Sequence, residues 1–100
     1  MNSNWTLMSS HGTVLFYIAL NQNATIRDIA SATELTERRV SQIVRDLAGT
    51  DILGVQRRGR QNAYWINMDA TFETPANEVR MGAVVDLLHE ASREKAAATA

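Results

Sequence analysis

At Ile52 the spacing of apolar residues changes period. Before it, three stretches carry apolar side chains at helical intervals; after it, "ILGVQRR" and "AYWIN" are short runs enriched in β-branched and aromatic residues. Tyr64 and Ile66 fall on one face of the second run and Trp65 on the other. The intervening "GRQN" offers glycine and asparagine for a tight hairpin turn. Further along, "NMDATFETPAN" carries the only proline, Pro75, and reads as a loop leading into a last helix. The order is helix, helix, helix, hairpin, helix.

Local signals place the helix ends. Ser9 and Ser10 suit an N-cap, and from His11 to about Leu20 the chain is apolar on nearly every side, as in a helix enclosed by others. "NQNA" breaks it. Thr25 with Asp28 three positions on approximates a capping box and opens a short helix whose Ile26, Ile29 and Ala30 share a face, ending near Ala32 or Thr33. Thr36 caps a third helix that runs to about Ala48, where Gly49 is placed to stop it. The last helix is expected from about Asn77 to Glu94, with the tail "KAAATA" frayed.

One hundred residues without an internal repeat make one domain with a modest core, so any regulation must act on one small fold or its oligomer. Within it, residues 1–74 are expected to form the main unit and residues 75–100 a terminal helix and tail. The absence of cysteine removes disulfides, thiolate metal sites and thiol redox sensing. His11 and His89 stand far apart without carboxylates at ligand spacing, so both read as neutral or solvated and no metal or cofactor is expected. "VLFYIAL", Val14 to Leu20, is far short of the roughly 20 residues of a membrane span, and "MNSNWTLMSSHG" lacks a positive signal-peptide region. A cytoplasmic protein without a membrane partner is the expectation. No Ser/His/Asp set, metal motif or glycine-rich phosphate loop suggests an enzyme.

Net charge is only −1, but its distribution is uneven. Residues 1–24 carry no charged side chain, residues 25–65 hold seven arginines against five acids, and residues 66–100 hold three bases against six acids. On a wheel of the third helix, Val40, Ile43, Val44 and Leu47 form an inward stripe, and Arg38, Gln42 and Arg45 form a ridge at the opposite pole. Ser41 flanks the ridge on one side, Arg39 and Asp46 on the other. Arginine can donate to guanine O6 and N7 or to phosphate, and glutamine to adenine or a backbone oxygen. The plain alternative is a solvated face whose arginines pair with Glu34, Glu37 or Asp46. Two features favour the first reading. Ala30 is small enough to let the third helix cross the second closely, and "RRGRQN" sets Arg57, Arg58 and Arg60 around a glycine, where like charges repel unless an anion compensates them.

"TIRDIASATELTERRVSQIVRDL" followed by "GVQRRGRQNAYWI" resembles the winged helix-turn-helix regulators of the MarR/ArsR type, over roughly residues 9–68. The resemblance implies a mostly α fold with a β-hairpin wing and a C-terminal dimerisation helix, acting as a homodimeric transcription regulator, most simply a repressor, on double-stranded DNA. Arg38, Ser41, Gln42 and Arg45 match base-contacting positions of the recognition helix. Thr36, Arg39, Arg57, Arg58, Arg60 and Asn62 match positions that hold the backbone or form the wing. Glu34 departs from the pattern, standing where many such regulators have glycine, and Ala63 and Trp65 stand where many have basic residues.

The last helix gathers Met81, Val84, Leu87, Leu88 and Ala91 on one side, widened by Val85, with Asp86, His89, Glu90 and Arg93 opposite. Together with Leu15 of the first helix, this stripe is expected to meet a second copy, which would set two recognition helices about 34 Å apart on a near-palindromic site. The alternative is a helix packed wholly on its own domain. A pocket at the dimer interface, between the first and last helices, suits a small apolar effector, although such stripes are more often plain core; a protein effector is the alternative. Outward-facing Trp65 serves either a partner or the N-terminal segment as cover. A winged-helix module that binds protein and little DNA is the competing function.

Overall fold

The computed structural model describes residues 6–59 and 61–99. Arg60, and residues 1–5 of the N-terminal segment considered as cover for Trp65, lie outside the described residues. Helix α1, Ser10–Leu20, is capped by Ser9, whose Oγ accepts the Gly12 N–H at 3.1 Å. Its Val14, Leu15, Ile18 and Ala19 are buried. Helix α2, Ile26–Thr33, begins with a complete capping box: Thr25 Oγ1 accepts the Asp28 N–H, and the Asp28 carboxylate accepts the Thr25 N–H, both at 3.0 Å. That exchange holds the Asp28 carboxyl below its ordinary pKa, because the backbone and hydroxyl hydrogen bonds of Thr25 favour the charged form.

The turn after α2 passes through Glu34, the one non-glycine residue with positive φ among the described residues (φ 59°). Where the resemblance anticipates glycine, glutamate adopts the left-handed conformation that an L side chain resists. Helix α3, Glu37–Ala48, follows at once, with Thr36 Oγ1 accepting the Arg39 N–H at 3.0 Å. Ala30 and Val40 are both buried where α2 and α3 cross. Gly49 closes α3 with an ordinary φ of −75°, so its conformational freedom is not what stops the helix. Thr50 contributes instead, donating through both its N–H and its hydroxyl to the Leu47 carbonyl.

Strands β1, Leu53–Arg58, and β2, Gln61–Ile66, pair antiparallel from Leu53 opposite Ile66 to Arg58 opposite Gln61. Gly59, at φ 63°, takes the left-handed turn position that a two-residue hairpin loop requires. Leu53, Tyr64 and Ile66 are buried on the inner face, and the far edge of β2 is anchored where the Tyr64 N–H donates to the Gln22 carbonyl at 3.1 Å. Four helices and this hairpin give an order compatible with a winged helix-turn-helix layout.

The region anticipated as a loop differs. Thr71–Glu73 (β3) and Glu78–Arg80 (β4) form a second small antiparallel hairpin, with Phe72 opposite Val79. Thr74 Oγ1 organises its turn, accepting N–H groups from Ala76 and Asn77. Position 74/75 therefore lies inside a hairpin. Helix α4 consequently starts at Met81, not near Asn77, and continues through Thr99, as an alanine-rich tail of high helix propensity allows. Its first N–H groups are met by the chain before β3: Met81 donates to the Ala70 carbonyl at 2.8 Å and Gly82 to that of Met68 at 2.9 Å. Val14, Ile18, Ile29, Val40, Ile43 and Met81 are the most completely enclosed side chains of one continuous core. No helix among the described residues is long and apolar enough to cross a membrane.

Candidate nucleic-acid interface

Burial of Val40, Ile43, Val44 and Leu47 fixes the rotation of α3, which leaves Arg38, Gln42 and Arg45 exposed and Ser41 and Arg39 half-buried. The two shoulders of the ridge face different neighbours. On the Ser41 shoulder lies the β1–β2 hairpin. On the other, Asp46 Oδ2 meets His11 Nε2 of α1 at 2.8 Å.

Strand alternation decides which basic residues of the hairpin approach α3. Leu53, Val55 and Arg57 share the inner face of β1, while Asn62, Tyr64 and Ile66 share that of β2, with Arg57 directly opposite Asn62. These two residues carry the inner face outward past the core. With Ser41 and Arg45 of α3 and the apolar Ile26 and Val44, they line a cleft of about 280 Å³. Asn62 is steadied by Tyr64: its Nδ2 donates to the hydroxyl of that buried tyrosine at 3.0 Å. Arg57 spends one donor locally, Nε to the Gly59 carbonyl at 3.1 Å, which leaves its terminal guanidinium donors to other partners.

Arg58 is on the opposite face, beside Gln61 and in line with Gln56, Ala63 and Trp65. The three arginines near the turn are thus not one cluster: the register separates Arg57 from Arg58, and Arg60 is outside the described residues. Trp65 is 52% exposed, and its ring lies against Gly54, where an added Cβ would sit 1.9 Å from Cε2. Thr36 sits at the start of the ridge, its hydroxyl oxygen accepting the Arg39 N–H.

Among the described residues, none of Arg38, Arg39, Arg45, Arg57 or Arg58 forms an ion pair with a carboxylate, whereas His11 meets Asp46 and Arg93 meets Glu90. The solvated-face alternative relied on Glu34, Glu37 and Asp46 as partners, and Asp46 is engaged by His11 instead. That contact gives His11, read from the sequence as neutral or solvated, a side-chain partner. It spans 35 positions of sequence, so no local pattern signals it. No group of His, Cys, Asp or Glu suited to a metal ion occurs among the described residues.

The residues assigned to a dimer contact divide. Leu15, Met81 and Val85 are buried within the protomer's own core and are not available to a second copy. Val84 and Leu88 are half-buried, Ala91 is exposed, and Leu87 is 67% exposed. An apolar cleft of about 330 Å³ does lie between α1 and the start of α4, walled by Leu15, Phe16, Leu47, Ile52, Phe72 and Met81. It is contained in one protomer.

Comparison of the chain with protein-family models, curated proteins and solved structures returns no match. Function has to be read from side-chain chemistry. That chemistry is a convex helix ridge of donors, bordered by a cleft of mixed lining to which α3 and β1 each contribute an arginine. Such an arrangement can grip an anionic surface and has no nucleophile with an adjacent base.

Proposed function

We propose that this protein is a sequence-specific regulator of transcription that binds double-stranded DNA as a homodimer and represses by occupying its operator. In this reading the chain is a winged helix-turn-helix: α3 enters the major groove and the β1–β2 hairpin is the wing on the backbone or minor groove. The observation that carries it is the cleft joining Ser41 and Arg45 of α3 to Arg57 and Asn62 of the hairpin, next to a ridge of arginines without carboxylate partners among the described residues. Uncompensated guanidinium groups on a convex helix match the acceptors of a duplex in both charge and shape.

The dimer rests on Leu87. A large apolar side chain 67% exposed beside Val84, Leu88 and Ala91 loses unfavourable hydration when a second copy covers it. Two-fold pairing would present two α3 helices to successive turns of a near-palindromic site. The apolar cleft beneath α1 is the place for a small effector, since its wall includes Leu47 of α3. Regulation of this kind is carried out in the cytoplasm.

Fluorescence anisotropy tests the proposal. The purified protein is titrated against a pool of random duplexes, and against the duplex it selects from that pool, at several salt concentrations. Preference for the selected duplex and a steep fall of affinity with salt are expected. Arg38→Ala should reduce the preference, whereas Arg58→Ala should weaken both duplexes alike and flatten the salt dependence. One observation favours a second reading, a protein-binding module: Trp65 is exposed on the outer hairpin face, away from the cleft. Absence of duplex binding at low salt would select that reading.

A further inference from the structure

The exposed arginines do not occupy equivalent places. Arg38, Gln42 and Arg45 share the ridge opposite the core stripe of α3, but Arg45 stands on its hairpin side and, with Ser41, lines a cleft with Arg57 and Asn62 that Arg38 and Gln42 do not line. A base edge is reached by side chains at the pole, which meet the floor of the major groove first. Side chains in a recess between a helix and a flanking hairpin instead meet what rises on either side of that groove, the phosphate backbone.

The recess brings two cationic residues of different elements together. Arg45 of α3 and Arg57 of β1 line it beside Ser41, Asn62 and the apolar Ile26 and Val44, with no carboxylate partner for either arginine among the described residues. Neither wall is loose. Arg45 rides on a helix whose Ile43, Val44 and Leu47 are buried, and Arg57 is paired across the hairpin with Asn62, itself bonded to the hydroxyl of buried Tyr64. Held together without a counter-charge, the two cations repel, and an anion between them converts that repulsion into two charge-assisted hydrogen-bonded contacts. Ser41 can add a hydroxyl donor from the helix wall and Asn62 a polar contact from the hairpin wall. A cleft of about 280 Å³ has room for a phosphodiester group with some of its water.

We infer that Arg45 and Arg57 jointly hold a single backbone phosphate of duplex DNA in the cleft between α3 and the β1–β2 hairpin, leaving base reading to Arg38 and Gln42. This rests on the duplex-binding function proposed above, and it moves Arg45 from the base-reading set to the positioning set. One shared phosphate also ties helix and hairpin into a single body on DNA, since neither wall can shift without loosening the other's contact.

Salt dependence counts phosphates, so it distinguishes one shared site from two separate ones. Each phosphate neutralised on duplex DNA contributes about 0.9 to the slope of log affinity against log salt. The wild-type protein, Arg45→Ala, Arg57→Ala and the double variant are compared on the selected duplex and the random pool. All of these side chains are exposed, so folding is expected to survive and is checked by circular dichroism. With a shared phosphate, the double variant loses about 0.9 of slope in total, and each single variant weakens both duplexes by the same factor. A total loss near 1.8 would mean two separate phosphates and overturn the inference, as would loss of sequence preference in Arg45→Ala. Either of those results leaves the duplex-binding proposal standing. Failure of the wild-type protein to bind any duplex at low salt would remove both.

Discussion

Replacing Gly54 by alanine is the sharpest available test of the outer hairpin face. A Cβ there would meet Trp65 at 1.9 Å from Cε2, 2.2 Å from Nε1 and 2.3 Å from Cζ2, whereas carbon atoms rest at about 3.5–4 Å. The indole must therefore move by about 1.5 Å or more, which lifts it off the strand. Trp65 is 52% exposed, so roughly half of a side chain that can bury about 250 Å² is at stake. At about 25 cal/mol per Å² that is at most ~3 kcal/mol if the ring leaves entirely. Alanine also returns up to about 1 kcal/mol over glycine within a strand, so a net loss of about 1–2 kcal/mol is expected. For a domain of this size that lowers Tm by roughly 4–16 °C.

Thermal unfolding followed by circular dichroism gives the stability change. Emission from Trp65 reports the ring itself once Trp5, the only other tryptophan, is replaced by phenylalanine. A red shift should accompany the loss of stability as the indole enters water. The decisive control repeats Gly54→Ala in a Trp65→Ala background, where it should be neutral or mildly stabilising. If the substitution costs as much there as with the indole present, ring contact is not the cause and the packing account of this face is wrong.

Other expectations follow from the helix ends and the terminal helix. Glu34→Gly relieves a left-handed residue and should raise stability by about 1 kcal/mol, read by urea denaturation; no gain would show that Glu34 is not strained. Asp28 has a lowered pKa, so its contribution is present above its ordinary value of 3.8 and fades as pH falls through the lower folded-state value. Asp28→Ala should thus be less stable than wild type at neutral pH, with the two unfolding curves converging in strong acid. A gap unchanged by acid would rule out the carboxylate as the source. For the proposed dimer, Leu87→Glu should abolish dimers in sedimentation equilibrium while leaving Tm of the protomer unchanged within about 4 °C, because a surface substitution shifts stability by about 0.5 kcal/mol or less.

The parts of the fold set by neighbouring residues were legible in the sequence. Ser9, Thr25 with Asp28, and Thr36 each cap a helix through contacts three residues away, so the boundaries of α1, α2 and α3 could be placed from local chemistry. The start of α4 could not, because its first N–H groups are satisfied by the carbonyls of Ala70 and Met68, eleven and fourteen positions upstream, with no capping side chain to announce it. Strands of three residues, such as β3 and β4, are too short to show a period. The arginine-rich face was visible as composition and spacing. Its division into pole and cleft depended on the register that sets Arg57 opposite Asn62, and the engagement of Asp46 by His11 on contact between distant segments.

The length of α4 has a consequence for how its amides exchange with solvent. Met81 and Val85 are anchored in the core, but from Asp86 to Ala98 every residue is exposed except half-buried Leu88. A helix held at one end, whose stretch beyond the core is of a length that is marginal in isolation, opens locally far more often than the domain unfolds. Deuterium should therefore enter α4 in a gradient, slowly before Val85 and quickly beyond Leu88, while α1 and α3 keep their protons. Steepness of that gradient is a property of the solitary protomer, so it should flatten as concentration rises if a second copy lies along the helix, giving a residue-by-residue map of where the two chains touch.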